Sequence, residues 1–291
     1  MTLKGIYQNK SSKFNLLLLI LLIISSLTAH LLIANGVVLL FFKNGLTLLS
    51  NQDLTIPATV SALKIIQAFT TTGLFITPIL LFSHLTSFDL KLFAPTPRSA
   101  ILIILAIIFL VNPIINYSYE WNQGFSFPQW MLEYDMRAEK ITNSFLQMDS
   151  LNHLALNILV MALVPALGEE IFFRGFLQTK MSSWLQNRHL AIFITAIIFS
   201  AIHMQFQGLA PRFLLGLLLG YYFYWSGSLL LPIIAHFLNN GIVVLSFYTG
   251  FNNLSEFSLK SPSFQELFFS IIAVSLLLYL LFKSLERRER N

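Results

Sequence analysis

The chain has 291 residues, of which 56% are hydrophobic, 28 are Phe and only 11% are charged. Soluble globular domains carry about 25% charged residues, so this composition excludes that class and indicates an integral membrane protein. The absence of cysteine excludes disulfides, a thiol nucleophile and thiolate metal ligands. The net charge of +5 comes from basic residues scattered over short segments, a pattern that does not favour nucleic-acid binding.

Apolar segments recur along the chain and predict an all-α, polytopic membrane fold. A transmembrane helix needs about 20 predominantly apolar residues. We therefore expect about eight spans, near residues 14–42, 59–83, 99–117, 152–178, 189–204, 209–225, 229–249 and 264–283. They divide the chain into three parts: 1–150 with helices 1–3 and an outer loop, 151–250 with helices 4–7, and 251–291 with the last helix and a basic tail.

The distribution of Lys and Arg predicts the orientation of these spans, because cytoplasmic loops carry the excess of positive charge. With the N-terminus inside, the inner segments hold eleven basic residues and the outer segments five. Both termini are therefore expected in the cytoplasm. The first apolar run extends well beyond the 7–15 residues of a signal peptide, which favours an uncleaved first helix.

The outer loop 118–150 is net acidic and rich in aromatic residues. Its stretch 131–148 predicts an amphipathic helix that either lies at the lipid headgroups or covers a site, and we favour the headgroup position. Further along, Gly216 and Gly220 have the spacing of small residues that lets two helices approach closely. We expect these glycines to serve packing.

Charged residues inside the fourth apolar segment are the most informative feature of the sequence. Glu169, Glu170 and Arg174 lie there, and a charge at the centre of a bilayer costs about 2.5 to 3.5 kcal/mol on insertion scales. Glu170 and Arg174 are four residues apart on one helix face, so we expect a structural ion pair. Glu169 points elsewhere and has no cation on its own helix. It is therefore the candidate general base.

Two later segments supply polar partners for this helix. His203 ends the fifth, while His236 and Asn240 lie four residues apart on one face of the seventh. Counting about 1.5 Å per residue from the predicted loops places these three side chains and Glu169 at overlapping depths. Three helices are thus expected to converge on one polar pocket.

The ordered motifs Glu169-Glu170-x-x-x-Arg174, Phe199-x-x-x-His203 and His236-x-x-x-Asn240 resemble those of a known family. This is the CAAX-protease and bacteriocin-processing (CPBP, Abi) family of intramembrane proteases, which includes the Ras-converting-enzyme type. The resemblance covers about residues 153–245. It implies a membrane peptide hydrolase in which Glu169 and His203 activate a water, His236 and Asn240 bind the oxyanion, and Glu170 and Arg174 support the site.

A metal site is the main alternative for the chemistry. Family members have often been described as metalloproteases, and Glu169, His203 and His236 would form a zinc-compatible ligand set. No His-Glu-x-x-His motif is present, and the resemblance favours a site without metal or other cofactor. Two alternatives remain for the function: a non-catalytic scaffold or immunity protein of the same fold, and a transporter, although no repeat is visible.

The partners implied are a peptide or protein substrate and the lipid bilayer, without nucleic acid. Prenylated C-terminal peptides are the substrates of eukaryotic members. The abundance of Ile, Leu, Phe, Lys and Asn is typical of a bacterial chain, for which bacteriocin maturation, self-immunity or membrane-protein turnover is expected. The expected location is the inner membrane.

Overall fold

The computed structural model describes residues 3–51, 53–92, 94, 96–250 and 261–289. Within these residues the fold is built from helices and turns without strands, which confirms the predicted all-α class. The outer segment that holds Lys260 and the tail end at Arg290 lie outside the described residues.

The helices are numbered here in chain order. They are α1 Ser12–Phe41, α2 Gly45–Asn51, α3 Pro57–Thr86, α4 Arg98–Leu110, α5 Asn112–Gln123, α6 Gln129–Leu146, α7 Leu151–Leu185, α8 Arg188–Ala201, α9 Leu209–Ser226, α10 Leu230–Tyr248 and α11 Phe264–Glu289. A 3₁₀ turn, Phe206–Gly208, precedes α9. Helices α3 and α7 contain π-helical stretches, at Thr72–Ile76 in α3 and at Ile158–Leu163 and Ile171–Gln178 in α7.

Five helices among the described residues are long and apolar enough to cross a membrane, namely α1, α3, α7, α10 and α11. The pair α4 and α5 makes a sixth if it counts as one span bent by 44°. The protein is thus a multi-pass membrane protein, but the predicted count of eight is not confirmed. Helix α8 has only 14 residues, about 21 Å at 1.5 Å each, whereas a bilayer core is about 30 Å thick.

Proline and capping residues account for several helix boundaries. Pro113 follows the junction of α4 and α5, and a proline there removes a backbone donor and crowds the preceding turn, which explains the bend. Ser150 caps α7 by accepting from the N–H of His153 (3.3 Å). Asn187 caps α8 by accepting from the N–H of Leu190 (3.0 Å). Both side chains satisfy orphan donors of a first helical turn.

Close packing of α9 against α8 depends on the two glycines. A Cβ on Gly216 would lie 3.1 Å from Ala196, and a Cβ on Gly220 would lie 2.8 Å from Ile192. The carbonyls of both glycines accept side-chain bonds from α7, Gly216 from Arg174 (3.0 Å) and Gly220 from Gln178 (3.0 Å). The glycines thus bring α8, α9 and α7 together, as the spacing indicates.

Candidate active site

Glu169 and Glu170 lie in α7 where the α-helical stretch Val164–Glu170 meets the π-helical stretch Ile171–Gln178. Such π-helical insertions are frequent at functional sites. The two carboxylates leave the helix toward different partners. Glu170 is completely buried, whereas the side chain of Glu169 keeps 14% of its surface accessible.

Glu170, Arg174 and His236 form what we call the paired cluster. Arg174 Nη1 and His236 Nδ1 both lie 2.8 Å from Glu170 Oε1. Arg174 Nη2 donates to the carbonyl of Gly216 on α9 (3.0 Å). The i,i+4 arrangement of Glu170 and Arg174 is therefore present. The contact between Glu170 and His236 ties α7 to α10, and helical spacing within α7 could not have indicated it.

Glu169, His203 and the Nε2 atom of His236 form the open cluster. Glu169 Oε2 lies 3.9 Å from His203 Nε2 and 3.9 Å from His236 Nε2. This oxygen is buried and has no hydrogen-bond partner among the described residues. Oε2 of Glu170 also lacks a partner, but two donors already share the other oxygen of that carboxylate. The two clusters thus share His236, which contacts one glutamate with each ring nitrogen.

The hydrogen bonds of the two imidazoles indicate their tautomers. His203 Nδ1 lies 2.7 Å from the carbonyl of Phe199, which can only accept, so Nδ1 carries the hydrogen. His236 Nδ1 faces Glu170 Oε1 and is assigned as a donor in the same way. In the neutral rings both Nε2 atoms are then acceptors. They face the Glu169 oxygen, which is a third acceptor when ionised.

Phe199 and the turn after α8 hold His203 in place. The Phe199 ring lies 5.2 Å from the His203 ring and 5.9 Å from the His236 ring, with the Arg174 guanidinium 4.5 Å from its centre. Immediately after His203, Met204 adopts a left-handed backbone with φ 51°, which turns the chain out of α8. The aromatic residue of the second motif therefore packs against both imidazoles and the guanidinium.

Asn240 lies one turn beyond His236 on α10, and among the described residues its hydrogen bonds go to groups other than Glu169 and His203. Its Nδ2 donates to the carbonyl of Met161 (3.4 Å), and its Oδ1 accepts from Asn239 Nδ2 (3.2 Å). Of the four side chains predicted to converge, three meet around Glu169 Oε2. Asn240 shares the helix face of His236, but its amide group has backbone and side-chain partners of its own.

The segment 118–150 contacts the turn that follows His203. Asn122 Nδ2 donates to the carbonyl of Phe206, and its Oδ1 accepts from the N–H of Ala210, both at 2.9 Å. On α6, Asp135 accepts from the N–H of Gln207 (3.2 Å), and the Trp130 ring packs 5.3 Å from Phe206. Helices α5 and α6 thus clamp the turn that follows His203.

Arg212 is a second residue whose place the sequence did not indicate. It lies in the first turns of α9 and donates to both the carbonyl (3.0 Å) and the side-chain oxygen of Gln205. It also interacts electrostatically with Glu169 and His203. A cation in the sixth segment is therefore part of the surroundings of the open cluster.

The geometry of Glu169, His203 and His236 shows whether these side chains could bind a metal ion. The described residues contain no group of three His, Cys, Asp or Glu side chains arranged to hold a metal ion. Zinc ligands at about 2.0 to 2.2 Å from the ion would lie about 3.4 Å from one another. Both Nε2 atoms lie 3.9 Å from Glu169 Oε2. A metalloendopeptidase-like site is therefore not supported.

Comparison with known proteins identifies part of the chain. The family model described as type II CAAX prenyl endopeptidase Rce1-like matches residues 151–242. The uncharacterized protein YpbD of Bacillus subtilis is 30% identical over 90 residues, which cover 30% of this chain and 43% of the relative. An uncharacterized 24.3 kDa protein of Escherichia coli is 33% identical over 103 residues, covering 34% of this chain and 48% of the relative.

These alignments span less than half the length of each relative. No solved structure matches the chain. The matched segment runs from α7 to α10 and holds both clusters, so the family resemblance of the three motifs is confirmed there. Residues 151–242 form an Rce1-like segment, which is characteristic of a family of membrane proteases.

Proposed function

We propose that this chain is an intramembrane endopeptidase of the CAAX type in which Glu169 and His203 activate a water for attack on a peptide carbonyl. The observation that carries the proposal is the position of Glu169 Oε2. It is buried, lacks a hydrogen-bond partner among the described residues, and lies 3.9 Å from two imidazole nitrogens. A base placed in this way has no structural ion pair to maintain and is available for proton transfer.

The three facing atoms favour a water as their shared partner. One water oxygen about 2.8 Å from each atom is compatible with separations of 3.9 Å. The water would donate to Glu169 Oε2 and His203 Nε2 and would accept from Nε2 of a protonated His236. Glu169 would take one proton from this water while the oxygen forms a bond to the substrate carbonyl carbon. The carbon–nitrogen bond then breaks, and the leaving amine receives the proton that Glu169 holds. No external reductant or oxidant is required.

Stabilisation of the oxyanion would come from α10. With its Nδ1 hydrogen directed at Glu170, His236 can donate from Nε2 only as an imidazolium, and the Glu170 carboxylate supports that charge. Asn240 would add an amide donor after releasing the carbonyl of Met161, which it holds with a long 3.4 Å bond. Glu170 therefore has two functions in this proposal, pairing with Arg174 and orienting His236.

The test is a Glu169→Gln variant expressed beside wild type, with the exposed Glu139 on α6 changed to Gln as a matched control. New protein N-termini in the membrane fraction would be compared by mass spectrometry. We expect a set of termini that requires Glu169 and persists in the control, at equal levels of folded protein. The same set in all three samples would favour a non-catalytic scaffold, an immunity protein or a transporter.

The proposal also includes the class of substrate and the orientation of the protein in the membrane. A peptide or membrane-protein substrate is expected in the bacterial inner membrane, since the composition is typical of a bacterial chain. The excess of basic residues in the predicted inner segments favours a cytoplasmic location for both the N-terminus and the C-terminus. A C-terminal reporter enzyme that is active only in the cytoplasm should be active, whereas activity of a reporter restricted to the periplasm would contradict this orientation.

A further inference from the structure

A buried lysine lies on the wall of a cavity that the proposed peptidase chemistry does not use. The cavity has a volume of about 650 Å³ and lies between the start of α3, the start of α7, the end of α6 and the end of α10. Lys64 of α3 is part of its wall, and only 5% of this residue is accessible. A Cβ on Gly168, which precedes Glu169, would lie 3.3 Å from Thr71 of α3. Lys64 lies seven residues before Thr71, about 10 Å along the helix, so the cavity is separate from the open cluster.

Lys64 has no anionic partner among the described residues. Its ammonium lies 5.5 Å from the centre of the Phe145 ring and makes no hydrogen bond or salt bridge within that part of the chain. Asp149 also lines the cavity, but its carboxylate pairs with His153 at 2.7 Å, and both side chains are exposed. A buried charge without a counter-charge is costly, and in a membrane helix it is expected at a functional site. This cation therefore favours an anionic group as the ligand of the cavity.

Neutral hydrogen-bond donors complete the polar part of the wall. Asn143 and Gln147, at the end of α6, line the cavity and are exposed, so their side-chain amides are able to donate to a ligand. One buried ammonium with two amides suits a group that carries a single negative charge and several acceptor oxygens. A phosphodiester has both properties.

The position of the cavity and the apolar part of its wall indicate a phospholipid as the source of the phosphodiester. Helices α3, α7 and α10 are each long and apolar enough to cross a membrane, and the cavity lies at one end of all three. The ends of spanning helices lie near the lipid headgroups. Val60, Leu156 and Phe247 belong to the wall of this same cavity, so they are placed to contact the first carbons of acyl chains. A free phosphate would make no use of that apolar surface.

We propose that this cavity binds the phosphodiester of a phospholipid headgroup at Lys64, with the start of the acyl chains against Val60, Leu156 and Phe247. Basic pockets between membrane helices are suited to lipid headgroups. The bound lipid would connect α3, α6, α7 and α10, because each of these helices contributes to the wall. It would therefore stabilise the folded protein, and this effect does not depend on the chemistry of Glu169.

The test uses purified full-length protein that has been washed free of lipid in a neutral detergent. Thermal unfolding would be followed with added phosphatidylglycerol, with phosphatidylethanolamine and diacylglycerol of the same acyl chains, and with inorganic phosphate alone. We expect both phospholipids to raise Tm by about 2 to 4 °C more than diacylglycerol or inorganic phosphate, because only they combine the phosphodiester with acyl chains. Native mass spectrometry should show retained phospholipid.

Two variants separate this cavity from general surface charge. Lys64→Met removes the cation and keeps most of the side-chain volume, so it should abolish both the rise in Tm and the retained phospholipid. Without lipid its Tm should equal or exceed that of wild type, because a buried charge without a counter-charge has been removed. Lys140→Gln, which removes an exposed cation of α6 outside the cavity wall, should keep the full response.

Four results would each overturn the proposal. They are an equal response to diacylglycerol, a full response to inorganic phosphate, an unchanged response of Lys64→Met, and a response lost equally in Lys140→Gln. A lower Tm of Lys64→Met without lipid would also overturn it, because Lys64 would then serve the contact with Phe145.

Discussion

Glu169 and Glu170 are adjacent on α7, yet the protein surrounds their carboxylates differently. The paired cluster supplies Glu170 with a guanidinium and an imidazole at 2.8 Å, all within the buried interior. The open cluster leaves Glu169 with imidazole nitrogens only, at 3.9 Å, in a partly accessible position. One carboxylate therefore serves the assembly of three helices, and the other is the proposed general base.

This difference teaches how a membrane interior can tolerate two neighbouring acids. A buried charge is compatible with folding when it is paired and hydrogen-bonded, as Glu170 is. A second acid without a cation of its own is expected at a functional site. Variants at the two positions should therefore fail in different ways.

The largest effect is expected from breaking the paired cluster. Glu170→Ala or Arg174→Ala leaves a buried, unpaired charge, which costs about 3 to 5 kcal/mol of folding free energy. The amount of folded protein in the membrane, measured by size-exclusion chromatography of a fluorescent fusion, should fall sharply. Glu169→Gln should keep that amount at the wild-type level.

Removing both partners of the pair provides the control. Replacing Glu170 and Arg174 together by apolar residues removes the unpaired charge, so more folded protein should return than in either single variant. If Glu169→Gln lost folded protein and the Glu170 variant only lost activity, the two glutamates would have exchanged roles.

The next largest effect concerns Asn240, for which the neighbouring Asn239 is a matched control. Loss of one oxyanion donor costs about 2.7 to 4 kcal/mol of transition-state stabilisation. Asn240→Ala should therefore lower kcat by about 100-fold to 1000-fold, with little change in KM. Asn239→Ala removes only the bond to Asn240 Oδ1 and should have a much smaller effect. Equal losses of kcat would contradict the oxyanion assignment.

A smaller effect is expected at the clamp on the His203 turn. Asn122→Ala leaves the carbonyl of Phe206 and the N–H of Ala210 without their hydrogen-bond partner. Each unsatisfied group costs about 1 to 3 kcal/mol of folding free energy. A misplaced His203 should lower activity per folded molecule by about 10-fold to 100-fold.

Asn187→Ala is the control for this clamp because Asn187 caps the opposite end of α8. Its loss costs about 1 kcal/mol of stability but leaves the turn after His203 intact. We therefore expect lower Tm with unchanged kcat. If kcat fell equally in both variants, destabilisation of α8 alone would explain the effect of Asn122.

Local periodicity predicted the parts of the site that lie within one helix. The Glu170–Arg174 pair and the shared face of His236 and Asn240 follow from the 3.6-residue period. The close approach at Gly216 follows from residue size. These features depend on one element or on the simplest contact between two, so spacing along the chain contains the necessary information.

Features that depend on how helices dock could not be predicted in this way. The bond between Glu170 and His236 requires the rotation of α10 relative to α7. The positions of Arg212 and Asp135 depend on a turn between helices, for which apolar periodicity carries no signal. The count of eight spans is not confirmed because α8 has only 14 residues and α9 is not among the helices apolar enough to cross a membrane.

The smallest effect is expected from removing metal ions. In the proposed mechanism Glu169 takes the proton from water, so activity should persist after exhaustive dialysis against a chelator and should fall with decreasing pH as the base becomes protonated. In a zinc site the ion would acidify the water, so chelation would abolish cleavage and added zinc would restore it. The separations of 3.9 Å between Glu169 Oε2 and both Nε2 atoms would have to shrink by about 0.5 Å to suit zinc, whereas a water fits them as they stand. Asn240 adds to this argument, because a neutral amide is a poor zinc ligand and a good oxyanion donor. Stoichiometric zinc in active protein, lost together with activity on chelation, would replace the water-activating base by a metal-bound water and make His203 and His236 its ligands.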